Sequence, residues 1–238
     1  MIKLFCFGPH FGVADPSPFV LKVATYMKMA GIEFESHADI RNLQRAPKGK
    51  LPYIEDDGEL VADSFFIIKH LEKKYGAALD GDLSDQQLAT SSLLAKSLDE
   101  NFSWCIVHSR WVGAESWPTV KQALFGGMPF PLRYIVPMMV RKKAKNALQK
   151  HAVGQYSDAQ RMVIAENTLR SLSVLLADKQ YIFGDKPCAL DAIVYGFVVQ
   201  VALSTLDNPL NQLAVESTNL VDYCQRITER YYPELAVV

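Results

Sequence analysis

Pro47-Lys48-Gly49-Lys50-Leu51-Pro52-Tyr53-Ile54, followed by Asp57-Gly58 and then by Leu60-Val61-Ala62-Asp63-Ser64, is the stretch whose reading decides the fold. It reads as a loop, a proline-led strand, a hairpin and a capped helix. A proline is tolerated at the first position of a strand because only one backbone donor is lost, and it holds Leu51 extended rather than helical. Backbone groups at that strand edge are left free for a ligand. Asp57-Gly58 between short apolar runs is the strongest local hairpin signal, since both central residues of a tight primed turn need positive φ. Asp63 or Ser64 then caps a helix carrying Phe66, Ile67, Leu71 and Tyr75.

Upstream, Ile2-Lys3-Leu4-Phe5-Cys6-Phe7 is rich in strand-favouring residues and stops at Gly8-Pro9. Ser17-Pro18 places an N-cap before a proline at the first helical position, and Val20, Val23, Ala24, Met27 and Ala30 keep helical spacing up to Gly31. Ile32 to His37 is the expected second strand, with a short helix or loop near residues 39–46. The order is βαβαββα, a thioredoxin-like domain over residues 1–76 in which a helix joins the parallel pair and a hairpin joins the next. Residues 77–84 lose periodic apolar spacing and are expected to be a linker. Residues 85–238 read as all-α: Ser157 with Gln160 forms a capping box opening a helix to about Ala177, and a last helix spans about Thr218 to Tyr231 before Pro233. Between residues 111 and 140 regularity breaks down, and Pro118, Pro129, Pro131 and Pro137 predict a helical or irregular apolar cover rather than strands.

A chain of 238 residues, 49% hydrophobic, can bury a substantial core. Its 25 basic and 26 acidic residues nearly cancel, so overall charge gives no argument for a nucleic-acid partner. Cys6, Cys105, Cys188 and Cys224 form no Cys-x-x-Cys pair and have no histidines at ligand spacing. Neither a metal site nor a disulfide framework is indicated, and reduced thiols in the cytoplasm fit best. The N-terminal apolar run is too short for a signal-peptide core, and no segment reads as a membrane span.

The 47–64 segment resembles the glutathione-binding half of the glutathione transferase superfamily, in which a Pro-x-Gly-Lys-x-Pro loop leads into a cis-proline strand and an acidic-Ser pair opens the next helix. Ser17-Pro18-Phe19 with Lys22, Tyr26 and Met29, the insertion Gly126-Gly127-Met128-Pro129-Phe130-Pro131-Leu132-Arg133, Phe183-Gly184-Asp185-Lys186-Pro187, Leu190-Asp191-Ala192 and Gly196-Phe197 narrow the likeness. Together they resemble the failed-axon-connections and metaxin-like branch. That resemblance implies a glutathione transferase-like architecture, a cis Leu51-Pro52 bond, glutathione as co-substrate and a homodimer. Within the branch some members are thought to be adaptors rather than enzymes.

Several residues can carry the implied chemistry. Ser17 caps its helix on the plain reading; under the resemblance, its hydroxyl and the helix dipole stabilise a bound thiolate. Glutathione would run along Lys50, Leu51 and Pro52. Ser64 would hold the γ-glutamyl carboxylate and Asp63 the ammonium, against the plain reading of an N-cap, while Lys48 and Lys50 can meet the glycyl carboxylate. Trp104, Trp111 and Phe125 are candidates for an electrophile wall, with core packing as the alternative for each. His10, Tyr26 and Tyr53 are further groups able to approach a thiol. Cys188 stands where the superfamily usually has the Ser or Thr of a capping box closed by Asp191. Arg141, Lys142, Lys143, Lys145 and Lys150 cluster without an acid among them, most simply a solvated helix face, with an anionic membrane surface as the less favoured partner. The leading function is transfer of glutathione to a small apolar electrophile in detoxification. The alternative is a non-catalytic adaptor of the same fold.

Overall fold

The computed structural model describes residues 1–76 and 79–235. Ala77 and Ala78 of the expected linker, and residues 236–238, lie outside the described residues. Strands β1 (Ile2–Cys6), β2 (Phe34–Ala38), β3 (Tyr53–Asp56) and β4 (Glu59–Ala62) form one sheet in the order β2-β1-β3-β4. β1 and β2 are parallel across helix α1 (Pro18–Met29), in register from Ile2 opposite Phe34 to Cys6 opposite Ala38; β3 runs antiparallel to β1 and β4. With α2 (Asn42–Arg45) and α3 (Ser64–Tyr75), the expected βαβαββα order is complete.

Local chemistry explains the boundaries. Asp57 and Gly58 have φ of 50° and 85°, the paired positive values that a primed hairpin turn requires. Strand β2 begins at Phe34 rather than Ile32, because the Ile32 amide donates back to the Met27 carbonyl (2.9 Å) and Gly31, at φ 69°, donates to Lys28. These two bonds close the end of α1 as a Schellman motif and spend the amide on the helix. In α3, Ile67, Ile68 and Leu71 are buried, but Phe66 faces outward and Tyr75 is half exposed, its hydroxyl donating to buried Asp56. Asp56 also pairs with His70 and Lys74, so one carboxylate ties α3 to the hairpin.

Beyond the sheet the described residues are helical. Helix α4 (Asp85–Ser97), a π-helical turn (Leu98–Phe102), α5 (Ser103–Val107) and a second π-helical turn (His108–Val112) follow without interruption. Then come α6 (Trp117–Phe125), α7 (Leu132–Gln149), α8 (Ala152–Gln155), α9 (Asp158–Leu176), α10 (Ala189–Ala202), α11 (Pro209–Val215) and α12 (Thr218–Tyr231). The Ser157–Gln160 capping box forms in both directions. The 111–140 region is more regular than its prolines suggest: α7 runs through Pro137, which removes one amide from the helix while the flanking residues continue it. Cys188 lacks a hydroxyl, yet Asp191 reaches back to its amide (2.9 Å) and thiol (3.1 Å) and also accepts from Ile182 and Tyr223.

Two contacts set the sheet-bearing part against the helices. Helix α10 is buried along its whole length and packs on α1 so closely that a Cβ at Gly196 would lie 2.8 Å from the Pro18 carbonyl oxygen. Glycine is needed there for close approach. Lys22, buried in α1, makes two bonds to the Asp99 carboxylate at 2.9 and 3.0 Å.

A third network fixes the turn that begins α1. Arg110 is fully enclosed and donates to the Pro16 carbonyl (2.5 Å) and to the Gln200 backbone and side-chain oxygens (3.0 and 2.6 Å). Gln200 in turn donates to the Asp15 carbonyl (2.9 Å). The Asp15 carboxylate accepts from the amides of Phe7, Gly8 and Ser17 at 2.8, 2.9 and 2.8 Å. Burial pushes the Asp15 carboxyl up to about 7, against the opposing pull of those amides and of Arg110. Because the folded carboxyl holds its proton more tightly than the unfolded one (~3.9), its contribution to stability is full below about pH 4. It is lost as pH rises through about 7. Denaturant unfolding across this window is expected to show that fall, and Asp15→Asn to flatten it; an unchanged slope in the variant would place the titration elsewhere.

Candidate functional site

Residues from both parts of the chain meet in a cleft of about 400 Å³. Lys48, Lys50, Leu51, Pro52, Asp63 and Ser64 line one side. Asp99, Ser103, Trp104 and His151 face them from the helices, and Phe19 closes the end nearest α1. The expected binding residues, Lys50, Leu51, Pro52, Asp63 and Ser64, are thus brought together. A larger cavity of about 600 Å³, between β1, β2, α1 and Tyr232, contains none of them. Cys6 borders that second cavity, where burial pushes its thiol up to about 12 and leaves it a poor nucleophile.

The backbone of this cleft suits a peptide. The Leu51-Pro52 bond is cis, and no hydrogen bond to another described residue engages the amide or carbonyl of Leu51. Asp63 adopts φ 84° and ψ 124°, an uncommon conformation for a side chain with a Cβ and one that clusters at ligand sites. Its carboxylate caps α3 through the Phe65 amide (3.0 Å). Ser64, the first helical residue, is therefore not the cap, and its buried hydroxyl is free of that task. A serine hydroxyl beside the first amides of a twelve-residue helix is a ready acceptor site for a carboxylate. Lys48, Lys50 and Lys96 add positive charge on the same walls.

Ser17 sits at the start of α1 as its N-cap, accepting from the Val20 amide over a long 3.4 Å. No described residue takes the Ser17 hydroxyl proton. Ser17 does not itself line the cleft; Phe19, two residues on, does. Of the proposed electrophile wall, Trp104 lines the cleft, its indole stacked on the His151 ring at 4.0 Å. Trp111 instead packs near Trp117 against the cluster of Phe11, Val120 and Leu206, and Phe125 is buried beside Lys121 and Arg133. Neither lines the cleft: the second π-helical turn carries Trp111 into a separate packing cluster, and α6 buries Phe125 at its C-terminal end. Tyr26 is buried in the core, Tyr53 stacks on Phe5 at 4.2 Å, and His10 bonds its own loop at Gly8.

Sequence reasoning missed Asp99, Ser103 and His151. Asp99 announces itself only through its pairing with Lys22, and His151 only through its stack on Trp104; neither pairing has a local sequence signature. The cleft therefore offers a cationic loop, a helix N-terminus with a free serine, an acidic side chain and unpaired backbone next to a cis-proline. That donor set fits an extended peptide bearing two carboxylates and one ammonium, the charge pattern of glutathione.

Comparison with known proteins identifies the family. The family "Glutathione S-transferase N-terminal domain" matches residues 18–116, and "Glutathione S-transferase, C-terminal domain" matches residues 165–227. The isoprene-epoxide–glutathione S-transferase of Rhodococcus sp. (strain AD45) is 35% identical over 97% of this chain and 99% of its own length. Metaxin-1 of Sus scrofa is 29% identical over 98% of this chain and 75% of its own, in keeping with the metaxin-like resemblance. A glutathione S-transferase of Ceriporiopsis subvermispora, solved in complex with glutathione, superposes with a TM-score of 0.64 at 16% identity, covering 100% of this chain and 98% of that one. A thioredoxin-like domain followed by an all-α domain, with the residues of a peptide cleft where the two meet and a full-length relative at 35% identity, establishes that the chain belongs to the glutathione S-transferase family.

Proposed function

We propose that the protein is a glutathione transferase that binds glutathione between the Lys48–Pro52 loop and the start of α3, and transfers it to a small apolar electrophile. The observation that carries this reading is the convergence of Leu51, Pro52, Asp63 and Ser64 with the Trp104–His151 wall in one cleft. Ser64 and the first amides of α3 hold the γ-glutamyl carboxylate, Asp63 meets the ammonium, and the Leu51 backbone pairs with the peptide. As the thiol gives up its proton to solvent, the Ser17 hydroxyl donates a hydrogen bond to the resulting thiolate sulfur, helped by the positive end of α1. A free thiol near ~8.5 is mostly protonated at neutral pH, so lowering it raises the fraction of attacking thiolate. The thiolate then forms a carbon–sulfur bond at an electrophilic carbon, as the leaving group departs or a strained ring opens and takes up a proton. The 35% identical isoprene-epoxide transferase points to small epoxides as that class. Trp104 supplies an apolar face for them.

Further parts of the reading are proposals of the same kind. Residues 1–76 and 85–238 are the two domains, with residues 77–84 between them. The free thiols of all four cysteines accord with a cytoplasmic, detoxifying role, and no metal is part of the chemistry. Exposed Leu60, Phe65, Phe66 and Leu93 supply an apolar surface for a homodimer. The similarity to metaxin-1 favours a second reading, an adaptor that keeps the cleft without turnover.

Ser64→Ala is expected to weaken glutathione binding by about 1–3 kcal/mol, the effect of leaving a charged carboxylate one hydrogen bond short. Since Asp63 is the cap, the melting temperature of the free protein should hold. Calorimetry showing unchanged affinity would give Ser64 no binding role. Ser17→Ala should raise the thiol pKa of bound glutathione by about one unit, read as thiolate ultraviolet absorbance against pH, and lower turnover near neutral pH more than affinity. Superimposable titrations would remove Ser17 from thiol activation and favour the adaptor.

A further inference from the structure

Helix α7 carries an outward face that none of the described residues covers. Pro137 and Leu148 are buried, and Arg141, on the same side, donates to the carbonyls of Trp111 and Val112. At 100° per residue the opposite side presents Ile135, Met138, Met139 and Lys142. Met138 and Met139 are 72% and 66% exposed, and Phe130, just before the helix, is 77% exposed. Tyr134 extends this patch, its ring against Phe130 and flanked by the cations of Lys121 and Arg133 at 5.8 and 5.0 Å. A soluble helix normally places charge on such a face.

Charge is segregated in the same segment. Ser116 through Ser157 contain seven lysines and arginines and no acidic residue, whereas the rest of the chain has 18 basic against 26 acidic. Lys142, Lys143 and Lys145 are exposed directly beyond the apolar turns. Apolar side chains followed by cations on one helix face are what an anionic bilayer surface recognises: the apolar groups enter the acyl boundary while lysines meet the headgroups. No helix among the described residues is long and apolar enough to cross a membrane. Pairing this face with itself in a second copy would bring two like-charged clusters together, which is unfavourable. A nucleic acid would satisfy the lysines and leave the methionines, Ile135 and Phe130 without apolar partners.

We propose that Phe130, Leu132, Tyr134, Ile135, Met138 and Met139, with Lys142, Lys143 and Lys145, form a docking surface for anionic lipid membranes, on which the protein lies without spanning. This inference is independent of the transferase chemistry, since none of these residues lines the cleft.

Flotation of the full chain with vesicles of phosphatidylcholine, alone or mixed with phosphatidylserine, tests it. The wild type is expected to partition at least about tenfold more strongly onto the mixed vesicles, with the preference falling as salt is raised. Met138→Glu/Met139→Glu and Lys142→Glu/Lys143→Glu/Lys145→Glu should each abolish it while melting temperature and turnover stay as in the wild type. If either charged variant melts early, Met138→Ser/Met139→Ser replaces it and should lose the same binding. A wild type that stays unbound with both vesicles, or floats equally well with both substitutions in place, overturns the proposal. Concentration-dependent self-association removed by these substitutions, without vesicle binding, would also overturn it and assign the face to a second copy.

Discussion

A guanidinium taken fully out of water must be answered by hydrogen bonds or it destabilises the fold by several kcal/mol. Arg110 is such a group, and its partners are the Pro16 carbonyl and both oxygens of Gln200. Through Gln200 the network continues to the Asp15 backbone, and the Asp15 carboxylate gathers the amides of Phe7, Gly8 and Ser17. The position of Ser17 is therefore set by the helices as much as by its own strand–loop–helix unit. Satisfying Arg110 and placing the candidate thiol-activating hydroxyl are one event.

The cleft follows the same logic. The side proposed to bind the peptide is built locally, from the cis-proline loop, the hairpin and the cap at Asp63, with Asp56 anchoring α3 to the strand beneath it. Its other side comes from α5 and the π-helical turn before it, held to α1 by the Lys22–Asp99 pair and by the close packing that Gly196 permits. Neither side alone would hold both a peptide and an apolar second substrate. A cleft of this kind also separates chemistry from location: the proposed glutathione site lies on one surface, while α7 presents a different one to the surroundings.

Local signals in the sequence carried the sheet and much of the binding side. The Asp57-Gly58 turn, the Ser17-Pro18 helix start, the Ser157–Gln160 box and the Asp63-Ser64 pair each depend on residues within a few positions of one another, and periodicity and turn chemistry register such features. What escaped notice is long-range. Arg110 and Pro16 are 94 positions apart, and Lys22 and Asp99 are 77 apart, so only the folded chain makes them partners. Trp111 and Phe125 have the residue types of an electrophile wall, but the turn that carries Trp111 directs it to a different cluster and α6 buries Phe125 away from the cleft. Pro137 marks a helix break by propensity, and the surrounding helix formers overrode it. Ile32 was lost from its strand because a helix end claimed its amide.

The central claim is that the buried Arg110 network positions Ser17 for thiol activation, and the thiolate absorbance of glutathione bound to Arg110→Lys tests it most directly. Lysine keeps the charge but lacks the planar fork that reaches Pro16 and Gln200 together. If the claim holds, a variant that remains folded by its melting curve will bind glutathione with a thiol pKa shifted towards that of the free thiol. A folded variant whose titration coincides with that of the wild type would contradict it.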